Sequence, residues 1–274
     1  MSHVERRESP TLTNPRSDRV ASVRALSRRS VRLKAGRYLV EGPQGVREAV
    51  VHAPETVLDV YVTDEGARRH PEILERAHAE RLYVHPVTDE VLQAMCDATS
   101  PQGIAAVCRT EHHQLEDVLA AGPRLLLVLT HVRDPGNAGT AIRAADAAGA
   151  DAVLVSEGSV DIHSPKVVRS TAGSLAHLPV VTGLDVPDLL ARLRDAGIAT
   201  FAADGRGART VDEVDLTVPH AWVMGNEAWG LTDEDRDACD EVVRVPIHGK
   251  AESLNLAMAA TICVYASARV RPPV

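Results

Sequence analysis

At 274 residues, 45% hydrophobic and 25% charged, the chain is long enough for one large or two small domains with a sizeable core. No apolar run nears the roughly 20 residues that span a bilayer, and the polar, arginine-rich start lacks an apolar signal region; both predict a cytoplasmic protein. The net charge of −8 is unevenly spread: residues 1–37 hold ten Lys/Arg against three acids, so the rest carries −15. A basic arm on an acidic body fits a polyanionic partner held by the arm, or a solvated tail without one. Cys96, Cys108, Cys239 and Cys263 are scattered with no CxxC pair, which predicts reduced thiols, no disulfide framework and no zinc site.

Along the chain, Pro10 and Pro15 lie in a polar start (1–15) that reads as disordered. Val20, Val23, Leu26 and Val31 recur near helical period and predict a helix over 17–34 with arginines at other positions. Strands follow at 38–41, 57–62, 82–84 and 104–108, with helices at 43–51 and 87–95. That alternation predicts a small α/β module over 36–110, preceded by a basic arm and helix over 1–35. A polar linker over 111–122 leads to a larger module, 123–274. There the continuous apolar run Leu125–Leu129 reads as a buried strand. Further strands fall at 151–155, 179–182, 198–202, 221–224 and 242–245, and helices at 138–148, 166–175, 187–196 and 254–268. Strand–helix alternation of this kind gives a mainly parallel sheet covered on both faces.

Three polar patches, the first two bearing glycine, interrupt the apolar pattern, each after a strand-like run: Asp134–Arg143, Asn226–Leu231 and Ala251–Met258. Polar loops behind buried strands are where parallel α/β proteins bind ligands. The usual nucleotide signatures are missing. Asp134-Pro-Gly-Asn-Ala-Gly139 has the wrong glycine spacing for a dinucleotide fingerprint, and Gly249-Lys250 lacks the upstream loop of a Walker motif. Neither HExxH nor GxSxG occurs, and the neighbours His163 and Ser164 do not make a catalytic geometry.

Asn137-Ala-Gly-Thr-Ala-Ile-Arg143, Gly225-Asn-Glu-Ala-Trp-Gly-Leu231, Val245-Pro-Ile-His-Gly249 and Ser253-Leu-Asn255 resemble, in order and spacing, the motifs of the SpoU/TrmH branch of the SPOUT methyltransferases. The resemblance covers about 123–268. Tyr38-Leu-Val-Glu-Gly42 and Ser100-Pro-Gln-Gly-Ile104 resemble segments of the L30e-like RNA-binding domain that often precedes it. One departure is Ala228, where many relatives have glycine, with Trp229 beside it. The resemblance implies a parallel α/β domain with a deep trefoil knot, S-adenosylmethionine as cofactor, and a homodimer. The alanine-rich closing helix fits a dimer face, and equally fits simple core burial.

Methylating a ribose 2′-hydroxyl requires a polarised or deprotonated hydroxyl, an oriented methyl donor and an anchor for RNA. The resemblance gives the first role to Arg143. An arginine is a poor base, so stabilising a developing alkoxide suits it better. Asn137 and Asn255 can hold a loop, the hydroxyl or a phosphate, or simply cap helices. Glu227 is expected to orient Arg143 by a charge-assisted pair, or to be a loop acid in solvent. Ser253 caps the last helix or contacts RNA. Thr130, Gly225, Asn226, Val245, Ile247, Gly249 and Leu254 are the expected cofactor contacts. Arg169 is a candidate phosphate clamp across a dimer, and Arg28, Arg29 and Arg32 are candidates for the RNA-binding arm; His131 and Arg133 also lie near the first motif. The expected function is therefore S-adenosylmethionine-dependent 2′-O-methylation of a ribose in rRNA, with 23S rRNA favoured. The alternatives are a tRNA methyltransferase, a non-catalytic RNA-binding protein retaining the fold, and a small-molecule α/β enzyme.

Overall fold

A computed structural model describes residues 10–270, which divide into two compact units. One takes the chain up to Glu111 together with His163–Arg169; the other takes His112–Ile162 and the chain from Ser170 onward.

The smaller unit runs α1 (Asp18–Ala25), α2 (Arg29–Ala35), β1 (Arg37–Glu41), α3 (Pro43–His52), β2 (Val57–Val62), α4 (Asp64–Arg69), α5 (Pro71–Ala79), β3 (Val84–Pro86), α6 (Asp89–Met95) and β4 (Ile104–Arg109). Its sheet has the order β1-β4-β2-β3, with β4 antiparallel to both neighbours and β2 parallel to β3. The expected single helix over 17–34 is two. Ser17 Oγ accepts the Val20 N–H to start α1, and Gly36, at φ +59°, ends α2. Nor are these helices a separate arm. Val20, Val23 and Leu26 are buried with Leu39, Tyr61, Val91, Leu92 and Met95 in one core, because their helical spacing gives them a single apolar face. The expectation of a structureless start also changes: Leu12 pairs beside β3, donating to Pro86 O at 2.8 Å and accepting from Thr88 N at 3.1 Å. Residues 1–9, with Arg6 and Arg7, lie outside the described residues. Helices α4 and α5 were not foreseen: α4 is short and mostly charged, whereas α5 does carry a helical pattern, with Ile73 and Ala77 buried at i and i+4, that was overlooked.

The larger unit runs α7 (Leu115–Ala120), β5 (Leu125–Leu129), α8 (Pro135–Ala147), β6 (Ala152–Ser156), β7 (Val180–Leu184), α10 (Val186–Asp195), β8 (Ala199–Ala203), β9 (Arg209–Thr210), β10 (His220–Met224), α11 (Asp233–Asp237), β11 (Glu241–Arg244) and α12 (Leu256–Val270), while α9 (Pro165–Thr171) belongs to the smaller unit up to Arg169. Seven strands form a wholly parallel sheet in the order β7-β6-β5-β10-β8-β11-β9. The pleat sends alternate side chains to opposite faces. Ala221 and Val223 of β10 join Leu126, Val128 and Leu154 under Leu189, Leu190 and Leu193 of α10. Trp222, between them, faces α12, where its indole N–H donates to Ser267 Oγ at 2.9 Å. His220 Nδ1 donates to Val218 O at 2.7 Å, which leaves Nε2 to accept from Ser267 Oγ at 2.7 Å. Residues 115–120, expected within a linker, form α7 and bury Leu115 and Val118 in this core. Among the described residues no helix is long and apolar enough to cross a membrane.

Strand order reverses between β5 and β10: one half of the sheet grows outward through β6 and β7, the other through β8 and β11. Loops leaving the carboxyl ends on either side of such a switch diverge and leave a crevice. All three polar patches belong to loops that leave β5, β10 and β11.

Candidate functional site

The loop after β5 begins at Thr130, which is buried and gives its backbone N–H and Oγ1 to Met224 O at 2.9 and 3.0 Å. Asp134 then caps α8, its Oδ1 accepting from Asn137 N at 2.8 Å. The loop after β10 is a tight turn in which Asn226 and Gly230 exchange both backbone hydrogen bonds, at 2.8 and 2.9 Å. Asn226 is the brace of that turn: Oδ1 accepts from Ala228 N at 2.8 Å, and Nδ2 donates to His131 O at 2.6 Å. Gly225 is required because a Cβ there would sit 2.1 Å from the Gly230 carbonyl carbon, a backbone clash that no rotamer relieves.

Glu227 joins the first two loops. Its carboxylate accepts from Arg133 N at 3.1 Å, Asp134 N at 3.0 Å and Asn137 Nδ2 at 3.3 Å. The third loop enters through Asn255, whose Nδ2 donates to Asn137 Oδ1 at 2.9 Å while its Oδ1 caps α12 by accepting from Ala257 N and Met258 N. A directed chain of donors thus runs Asn255 to Asn137 to Glu227, and one side chain from each patch takes part. Its polarity fixes both amide orientations.

Beside this chain lies a cleft of about 490 Å³, within the range of small-molecule sites. Gly225, Asn226, Glu227, Val245, Ile247, Ser253 and Leu254 line it, together with Leu256 and Ala259. Two expected cofactor contacts are not part of the lining. Thr130 is buried on the β10 carbonyl, and Gly249 is exposed on the loop, with nothing within 4 Å of where its Cβ would be.

A fourth loop was missed. Ala203, Asp204, Gly205 and Arg206, following β8, complete the cleft wall. The signal was present, since Asp204-Gly-Arg-Gly207 is another polar, glycine-bearing stretch behind an apolar strand. Arg206 donates to Asp204 Oδ1 at 3.0 Å and Oδ2 at 2.8 Å, and this pairing holds the Asp204 carboxyl below the usual carboxylate range. Trp229 also lines the cleft, 51% exposed, with the Arg133 guanidinium 5.2 Å from its ring centroid.

Several expected site roles need correction. Glu227 does not pair with Arg143, because its oxygens are taken by two backbone N–H groups and an amide. Arg143 is exposed on α8 and has no hydrogen-bond or ion-pair partner among the described residues. Arg169 is not a free cation: it is paired with Glu41 at 3.2 Å and Asp97 at 2.9 Å within the smaller unit. Glu41 also accepts from Asp97 N and Ala98 N, so this pairing braces the end of β1. Arg32 is 4% exposed and donates to Leu26 O and Ser27 O, both at 2.7 Å; it satisfies carbonyls freed at the end of α1 rather than meeting RNA. Arg28 and Arg29 are exposed.

Fold and site together define a parallel-sheet α/β protein whose ligand cleft is built from loops at the carboxyl ends of its central strands. The chain belongs to the SpoU rRNA Methylase family, which matches residues 124–265, while residues 17–106 match the MRM3-like substrate binding domain. It is 34% identical over 254 residues to the 23S rRNA (guanosine(2553)-2'-O)-methyltransferase RlmP of Bacillus subtilis, covering 93% of this chain and 97% of that one. Against the 23S rRNA (guanosine-2'-O-)-methyltransferase RlmB of Bordetella pertussis it is 33% identical, over 86% of this chain and 99% of the relative. Among solved structures, the AdoMet-bound rRNA methyltransferase from Sinorhizobium meliloti superposes with a TM-score of 0.83 at 26% identity, covering 96% of this chain and 98% of that one.

Proposed function

We propose that this chain is an S-adenosylmethionine-dependent 2′-O-ribose methyltransferase acting on 23S rRNA in the cytoplasm. The observation that carries the reading is the donor chain Asn255–Asn137–Glu227. It binds the three family motifs into one rigid constellation beside a cleft of the right size.

The residues lining the cleft suit the cofactor. Val245, Ile247, Leu254 and Ala259 offer an apolar wall for a flat heterocycle, and Glu252 adds a carboxylate for a ligand that carries positive charge. Among the described residues, no backbone group of 245–254 takes part in an internal hydrogen bond outside the strands, so its N–H and C=O groups are available to a ligand edge. Gly225 and Asn226 shape the turn facing that space. S-adenosylmethionine, when bound, supplies an electrophilic methyl group.

The protein's part is positioning and charge. Asn137, locked by Glu227 on one side and Asn255 on the other, holds the β5 loop against the α12 cap. Ser253 offers a hydroxyl on the cleft wall. Arg143 keeps its donors available for an incoming ribose or phosphate, and its role is to stabilise the developing alkoxide rather than to take the proton. Arg28 and Arg29 on the smaller unit are proposed phosphate contacts. The placement of β10 between β5 and β8, with two long loops after it, supports a knotted path. The exposed apolar residues Met258, Ile262 and Tyr265, at i, i+4 and i+7 on α12, support a homodimer.

The test is transfer of tritiated methyl from S-adenosylmethionine to unmodified 23S rRNA and, separately, to tRNA, followed by mapping of the modified ribose. Transfer to 23S rRNA at one 2′-oxygen is expected. Transfer to tRNA alone, or to no RNA, overturns the reading.

A further inference from the structure

Aromatic residues make up only 3% of this chain, with two tryptophans. Trp222 is wholly buried, as expected of a large aromatic in a small-residue core. Trp229 is half exposed at the mouth of the cleft. Nothing about the turn requires an indole there: Asn226, Gly230 and Ala228 close it through backbone and amide groups.

The turn that carries the indole is nevertheless braced. The Asn226 amide donates to His131 O, and the Glu227 carboxylate grips Arg133 N. One carboxylate therefore ties the backbone of the tryptophan's turn to the backbone of the arginine that lies over its ring. An indole face next to a planar guanidinium, preset and open to solvent, is the pairing on which single-stranded nucleobases stack. Such a contact is sequence-tolerant, because every base has a π-face. It also sits two residues after Glu227 of the Asn226–Glu227 pair that lines the cofactor cleft.

Resting on the methyltransferase reading above, we infer that Trp229, backed by Arg133, is the stacking surface for a nucleobase of the RNA at the mouth of the cleft. It holds the substrate's ribose toward the cofactor. Trp229 is then a substrate-positioning residue, and replacing it raises the RNA requirement more than it weakens the cofactor.

The experiment uses the full-length protein with a 23S rRNA transcript. Trp229→Ala is expected to raise the KM for RNA about tenfold, the loss of one stacked base. An unchanged melting temperature shows that the variant is folded, and the Kd for S-adenosylmethionine, measured by calorimetry, changes much less than the KM for RNA. Trp229→Phe keeps a stacking face and recovers most of the loss, whereas Arg133→Ala gives a smaller rise. Because Trp222 is buried, the emission lost in Trp229→Phe isolates the signal of Trp229, and the transcript is expected to quench it. An unchanged KM for RNA overturns the inference. So does a weaker cofactor Kd with an unchanged KM for RNA, which makes the indole a cover for the cofactor. If the wild-type protein transfers no methyl to 23S rRNA, the methyltransferase reading fails separately. The stacking inference then rests on the quench alone, and unquenched Trp229 emission ends it.

Discussion

Arg143 and Arg32 carry the same group, and their surroundings set opposite predictions. Arg143 stands exposed on α8 without a partner among the described residues. Removing it costs little stability, within about 0.5 kcal/mol for an uncommitted surface site. Arg143→Ala should therefore lower methyl transfer by about a hundredfold or more, the scale of losing a charge-stabilising donor, and leave S-adenosylmethionine binding and the melting temperature unchanged. Undiminished transfer removes Arg143 from the chemistry. Arg32 is buried and its guanidinium serves two carbonyls at 2.7 Å. Arg32→Ala strands those acceptors and should cost about 3 kcal/mol, since each hydrogen bond to a charged group contributes roughly 1.5–3 kcal/mol. Chemical denaturation checks this, and a cost no larger than that of Arg29→Ala contradicts it. From the sequence, the family resemblance assigned Arg143 to the reaction, and Arg32 was grouped with the RNA-binding arm. Composition does not reveal which carbonyls a folded turn leaves free, and that is why Arg32 was misread. Glu227 was misread similarly: its carboxylate was assigned to a cation, while two backbone N–H groups and an amide lay closer.

Where an element is defined by its apolar pattern, the sequence reads well. Leu125–Leu129 is buried at every position, and α10 shows its leucines on one face. Where an element is short and charged, as α4 and α11 are, its apolar pattern resembles a loop's, and the N-caps Thr63 and Thr232 are the local signal for the helix. Most of the site was legible because three polar patches each stood behind a strand. The loop at Asp204–Arg206 obeyed the same rule at shorter length and was passed over. What no pattern could give is the pairing of elements, such as α12 lying against β10 through Ser267. That hydroxyl accepts from Trp222 and donates to His220 in a buried setting. Ser267→Ala leaves an indole N–H and a ring nitrogen unsatisfied and should cost about 2 kcal/mol, the penalty for a buried polar group that loses its partner. A thermal-unfolding shift of a few degrees is expected, with transfer activity retained below the transition.

For the whole molecule, the apolar stripe Met258, Ile262 and Tyr265 bears on assembly. Ile262→Glu places a charge in its middle and should convert a dimer into a monomer in sedimentation velocity at micromolar concentration, with Cys263 and Val264 still buried behind it. A wild-type protein that sediments as a monomer at all concentrations contradicts the proposed homodimer.

The position of β10 has a consequence for how the chain matures. It is the tenth strand of eleven in sequence and the fourth of seven across its sheet. Until residues 220–224 leave the ribosome, β5 and β8 each present an unpaired, mainly apolar edge to the cell, a condition that invites association with other strands. The cleft loops after β10 and β11 emerge later still. A chain interrupted before His220 loses the middle of its sheet together with β11, which joins β9 to it, so premature termination yields an aggregation-prone product and not a weakened enzyme.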